Sequence, residues 1–129
     1  PYLKKYSNGA MNVTIIRLSE LYLTRAECKV RIGGYSDSEI RNDYNILIER
    51  ANGAIDNNTS GYQNLINKIS LERNIELGFE GDRFHDLKRK KQNFNTNLGV
   101  YDWNSPKLIY PIPQQEIDQN PNMIQNEGY

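Results

Sequence analysis

The densest gathering of side chains able to do chemistry is Glu72, Arg73, Glu76, Glu80, Arg83, Asp86 and Arg89. Glu72, Glu76 and Glu80 recur every fourth residue, so an unbroken helix places them on one face. Like charges at that spacing repel by about 0.2–0.5 kcal/mol per pair. Cations must therefore stand close by, and Arg50, Arg73 and Arg83 are the candidates. A planar guanidinium can bridge two carboxylates, which a lysine ammonium cannot. Acid/base chemistry would instead need one carboxyl desolvated and its neighbour kept ionised. A di-iron site would need Glu-x-x-His on paired helices, and the single histidine, His85, stands five residues after Glu80. Arg50, Glu72, Arg73, Glu76, Glu80, Arg83 and Asp86 thus read as a structural ion-pair network that fixes helix packing. Neither a metal site nor a catalytic residue is expected. If the partners of Arg83 are buried, its removal should cost about 3 kcal/mol.

Other reactive side chains have plainer explanations. His85 lies beside Phe84 and Leu87 and fits a packed or surface histidine. Cys28 is mid-helix, with no helix N-terminus to lower its pKa. The basic run Lys88-Arg89-Lys90-Lys91 is diluted by Asp82 and Asp86, and suits a solvated helix end where cations complement the dipole. Tyr101-Asp102-Trp103-Asn104 is different, because its aromatics stand among polar residues and off any apolar stripe. Two arrangements fit it. In one, Tyr101 and Trp103 are a platform for the C–H face of a sugar, with Asn104 or Asp102 bonding its hydroxyls. In the other, Trp103 tucks inward and pins the loop.

The elements that position these groups read as helices. At 129 residues and 37% apolar content the chain is one domain or a part of one. Equal counts of 16 basic and 16 acidic residues remove any whole-chain attraction for nucleic acid or an anionic membrane. Helical periodicity runs from about 14 to 32 and ends at Gly33-Gly34. A second helix, 38–52, opens on Ser36 and Glu39 at capping-box spacing and stops at Asn52-Gly53. A third is expected at 62–80 and a fourth at 83–90. Residues 92–106 read as irregular, and Leu108-Ile109-Tyr110-Pro111-Ile112-Pro113 as extended, with one helical turn at 114–118. The first helix is apolar around most of its circumference, which requires more than one neighbour. The fold class is therefore all-α, helical hairpins followed by a long irregular C-terminal tail.

Four motifs, in chain order, resemble the C-terminal region of the SusD/RagB family. They are Ile16–Glu27, Tyr44–Asn52, Glu72–Arg89 and the ending Tyr110–Tyr129, with its Pro111-Ile112-Pro113, Asn120-Pro121-Asn122 and Gln125-Asn126-x-Gly128-Tyr129. The second departs from the family pattern with Tyr44 for Leu and Ile48 for Arg, and the last with Glu127 for Pro. The resemblance implies tetratricopeptide-like helix pairs, with residues 1–129 forming the C-terminal region of a longer protein whose N-terminal part lies upstream. It also implies a non-catalytic, glycan-capturing lipoprotein on a Bacteroidetes-type outer membrane. The lipid-bearing N-terminal cysteine would not be Cys28. Partners would be a TonB-dependent outer-membrane transporter and an oligosaccharide, or in some members a peptide, without a cofactor or nucleic acid. Family motifs hold the fold and assign no ligand residue, so Tyr101, Trp103 and Asn104 are the local candidates for ligand contact. The alternatives are a purely structural half that contacts the transporter, and a carbohydrate-active enzyme with two opposed carboxylates in a cleft.

Overall fold

Why the helices start and stop where they do is visible at their caps. The computed structural model describes residues 15–129, so the first position of the expected 14–32 helix lies outside the described residues. Helix α1 spans Leu18–Ile32 and begins later than its periodicity suggests. Arg17 is extended at φ −121° and its guanidinium reaches Glu76 instead of entering the helix. Gly33, at φ 78°, ends α1 and donates its N–H to the Lys29 carbonyl at 3.0 Å.

Helix α2 (Asp37–Arg50) opens on the expected capping box. The Glu39 N–H donates to Ser36 Oγ at 3.3 Å, and the Ser36 N–H donates to Glu39 Oε2 at 2.8 Å. It closes on a Schellman motif: Asn52 sits at φ 55°, and Gly53 donates to the Ile48 carbonyl at 2.8 Å. A Cβ on Gly53 would fall 2.9 Å from Ile48 Cγ2, so the close approach admits only glycine without a shift. Helix α3 runs Tyr62–Glu76, four residues short of the expected 80. The residues that stop it are Phe79 (φ 66°) and Gly81 (φ 80°), both left-handed.

The described chain forms two units, one ending at Leu77 and one running from Gly78 to Tyr129. In the first, α1 packs on both α2 and α3. Leu23, Ala26 and Val30 of α1 meet Ile40, Tyr44, Leu47 and Ile48 of α2 and Leu65, Ile66 and Ile69 of α3 in a buried cluster. Each such aliphatic side chain stabilises by about 1.5–3 kcal/mol when fully buried. The wide apolar circumference of α1 is only partly used, since Leu18, Leu21 and Ile32 remain exposed.

The second unit starts with α4 (Asp82–Arg89), which also ends in a Schellman motif. Here Lys91, not glycine, takes the left-handed position at φ 53°, and Gln92 donates to the Leu87 carbonyl at 3.0 Å. Residues 92–106, expected to be irregular, contain an antiparallel hairpin of β1 (Phe94–Thr96) and β2 (Gly99–Tyr101). Its register pairs Phe94 with Tyr101. The Thr96 hydroxyl closes the tight loop, accepting from the Leu98 N–H at 3.1 Å and donating to the Gly99 carbonyl at 3.0 Å. A 3-10 turn at Pro106–Leu108 takes in Leu108, which was expected to be extended, so the extended run begins at Ile109; α5 spans Gln114–Gln119. The molecule is mostly helical, with one two-stranded ribbon among the described residues.

Candidate functional site

The charged side chains singled out in the sequence sort into separate groups. In the first unit Glu76 receives Arg17 and, at 2.6 Å, Arg50. Burial alone would raise the Glu76 pKa, yet hydrogen bonding to Arg50 and the charges of Arg50 and Arg17 bring it below its ordinary value. That carboxylate stays ionised, the opposite of what a general acid needs. Arg73 is buried and reaches Glu20 at 3.1 Å and the Thr24 hydroxyl at 3.3 Å, tying α3 to α1. Glu72 pairs with Lys68 at 2.7 Å, one turn back on its own helix.

In the second unit the buried Asp86 accepts from Arg89 at 2.6 Å and Lys90 at 2.9 Å, with Arg83 further away at 3.8 Å. Glu80 precedes α4 and is exposed. Among the described residues, no group of three or more His, Cys, Asp or Glu is gathered as a metal site.

Sequence reasoning passed over two further groups. Asp43, buried on α2, takes a forked contact from Arg25 at 2.6 and 3.1 Å and an ion pair from Lys29 at 2.8 Å. The signal was present, as Arg25 and Lys29 are one turn apart on α1, but their partner comes from another helix. The second group is built on Tyr44, fully buried, whose hydroxyl donates to Asp56 at 2.7 Å. Asp56 also accepts the N–H groups of Asn58 and Thr59, each at 3.0 Å. These contacts outweigh burial and hold its carboxyl well below the usual range. Burial and the Asp56 contact push the Tyr44 phenol upward. The departure of Tyr44 from the family pattern therefore has a use: it anchors the 52–61 loop to the core.

Between α2 and α3 lies a cleft of about 180 Å³ lined by Leu47, Ile48, Lys68, Glu72 and Glu76 among others. Its charges are already paired with one another or with arginines, and it is smaller than the roughly 300–1,000 Å³ typical of ligand pockets.

The Tyr101–Asn104 segment follows from the hairpin. Tyr101 stands opposite the buried Phe94 on one face of the ribbon, which makes it half-buried. Trp103 is half-buried as well, and the Lys91 ammonium stands 5.3 Å from its ring centroid. Lys91 takes the left-handed backbone position that follows α4. Asp102 and Asn104 are exposed. Thus two polar side chains stand free beside an indole that a cation partly covers.

Comparison with known proteins identifies the family of the chain. A family model described as the SusD family matches residues 2–129. The chain belongs to the SusD family. It is 37% identical over 128 residues to the starch-binding protein SusD of Bacteroides thetaiotaomicron, covering 92% of this chain and 22% of that protein. A crystal structure from Bacteroides vulgatus, of a protein to which sugar binding is ascribed, superposes with a TM-score of 0.67 at 33% identity. The match covers 95% of this chain and 31% of that one. A SusD superfamily structure from Parabacteroides distasonis shares the fold at a TM-score of 0.69 and 23% identity, over 90% of this chain and 27% of its own. The SusD-family chain described here spans about a fifth to a third of the length of these relatives.

Proposed function

We propose that this chain is the C-terminal region of a glycan-capture protein that binds oligosaccharide without transforming it. The observation that carries the reading is its 37% identity, over 92% of its length, to a starch-binding protein. The charges support it from the side of chemistry. Glu76, Glu72 and Asp86 each have cationic partners at 2.6–2.9 Å, so they serve as ion-pair struts between and within helices. A glycosidase would need one of a carboxyl pair held protonated.

On this reading the protein works at the outer face of an outer membrane. It is lipid-anchored through an N-terminal cysteine outside this chain and passes its ligand to a TonB-dependent transporter. The exposed Leu18, Leu21 and Ile32 of α1 are faces for the N-terminal scaffold of the same protein. Tyr101, Trp103 and Asn104 are the loop's contribution to the ligand: the half-buried indole stacks on a sugar while the exposed Asn104 amide bonds a hydroxyl.

Affinity electrophoresis through gels containing soluble starch or another neutral polysaccharide tests this. The protein should be retarded relative to a gel without glycan, and Trp103→Ala should migrate faster through the glycan gel while melting at the parent's temperature. Migration unaffected by every glycan tried would remove the binding reading. Retarded migration with a destabilised Trp103→Ala would make the indole a packing residue.

A further inference from the structure

The second unit contains a cavity of about 460 Å³ lined by Phe84, His85, Leu108, Ile109, Tyr110 and Tyr129, together with Gly81 and Lys107. Its volume falls within the range of roughly 300–1,000 Å³ typical of small-ligand pockets. One wall is α4, which supplies Phe84 and His85, with ring centroids 5.5 Å apart and planes at 89°. The opposite wall is the strap from Lys107 to Tyr110.

That strap has no secondary structure of its own at Ile109–Pro113 and is held by the chain's last residues. The Gln125 side chain accepts from the Ile112 N–H and donates to the Ile112 carbonyl, both at 2.9 Å, as a neighbouring strand would. The Asn126 amide donates to the Tyr110 carbonyl at 2.7 Å. The Tyr129 hydroxyl donates to the Ile109 carbonyl at 2.8 Å. The backbone that carries Tyr110 is therefore fixed before any ligand arrives, which lowers the ordering cost of binding.

Against this fixed backbone the Tyr110 side chain stands out, being 91% exposed. Its hydroxyl and the His85 ring nitrogens carry no hydrogen bond among the described residues. The pocket thus offers aromatic faces, an unengaged hydroxyl and an imidazole that can both donate and accept. Those are the groups that a pyranose ring requires: flat apolar surface for its C–H face and mixed donors and acceptors for its hydroxyls. Unlike Trp103, whose ring a lysine partly covers, Tyr110 presents its ring almost wholly to solvent.

We propose that this cavity is a glycan subsite, taking one sugar residue against Tyr110 with His85 and the Tyr110 hydroxyl bonding its hydroxyl groups. The assignment rests on the glycan-binding reading and adds a second point of contact to it, apart from the Tyr101–Asn104 loop. His85 is the chain's single histidine, so its imidazole resonances report on this pocket alone. The test is an NMR titration of the protein with a panel of malto-, xylo-, manno- and cello-oligosaccharides, followed at His85. Affinity electrophoresis of the same protein runs in parallel. At least one oligosaccharide should shift His85 saturably. Tyr110→Ala should weaken that response about tenfold, the loss of one stacking contact, and Tyr110→Phe should weaken it less. Neither change should alter the melting temperature, because the side chain is exposed. Oligosaccharide binding that leaves His85 unmoved would overturn the subsite and leave the glycan reading intact. So would a Tyr110→Ala variant that binds normally but melts early, which would make the pocket a packing surface. Failure of every oligosaccharide in both experiments would remove the glycan reading and the subsite together.

Discussion

Asp86 shows how the charged residues act singly. Its carboxylate is buried between Arg89 and Lys90, and the Lys90 side chain is itself only 4% exposed. Asp86→Ala leaves that ammonium buried without its carboxylate and should cost about 3–5 kcal/mol, read as a shift in the urea midpoint. Arg83 belongs to the same group but stands 3.8 Å away and half-exposed. Asp86 keeps two nearer cations when Arg83 is removed. The cost of Arg83→Ala therefore falls from the 3 kcal/mol that spacing suggested to about 1 kcal/mol or less. Tyr44 supplies a third residue-scale prediction. Tyr44→Phe keeps the buried ring and removes the donor to Asp56, so stability should drop by about 1–2 kcal/mol in the same assay. An unchanged midpoint would mean that the loop is held by its other bonds alone.

At the scale of elements, the acid limb of stability depends on contacts between helices. Glu76 joins α3 to Arg17 and to Arg50 of α2, and its folded pKa is depressed. A depressed carboxyl contributes stability above its unfolded pKa and loses it as pH falls through the folded one. The melting temperature should accordingly decline as pH drops below about 4.5. Glu76→Gln should flatten part of that decline, and a variant with the parent's full acid slope would show that the contact carries no linkage. The element ends explain how much could be read in advance. The Ser36–Glu39 capping box, the Gly33 stop and the Asn52-Gly53 stop are local devices, and local spacing reveals them. The early end of α3 was hidden because Phe79, a bulky residue, takes a left-handed backbone that its type disfavours. The hairpin escaped because three-residue strands are too short to show alternation. The Lys91–Trp103 contact joins the end of α4 to the residues after the ribbon, so the spacing of neither segment alone reveals it. Periodicity placed Glu72 and Glu76 on one face, and their repulsion called for a cation such as Arg50; neither argument reveals the Arg73–Glu20 pair, whose members lie far apart in sequence and meet through packing.

For the whole molecule, the balance of buried and exposed apolar surface matters most. Leu18, Leu21 and Ile32 on α1, Leu71 and Ile75 on α3, and Leu98 and Ile124 in the second unit all remain exposed. Single exposed aliphatics are ordinary, but rows of them along two helices suit a region that meets further polypeptide. The relatives, of which this chain spans about a fifth to a third, are long enough to contain such polypeptide. Residues 15–129 expressed alone should bind an apolar-surface dye, and cooperative melting without dye binding would contradict that use of the surface. The central claim, capture of glycan without chemistry, is tested most directly by calorimetric titration of the protein with a malto-oligosaccharide at low and high salt. Recovery of the sugar afterwards belongs to the same measurement. The account predicts weak, saturable binding with the same affinity at both salt concentrations, because a neutral glycan releases no counterions, and an oligosaccharide of unchanged length. Affinity that collapses with salt, or a shortened sugar, would contradict it.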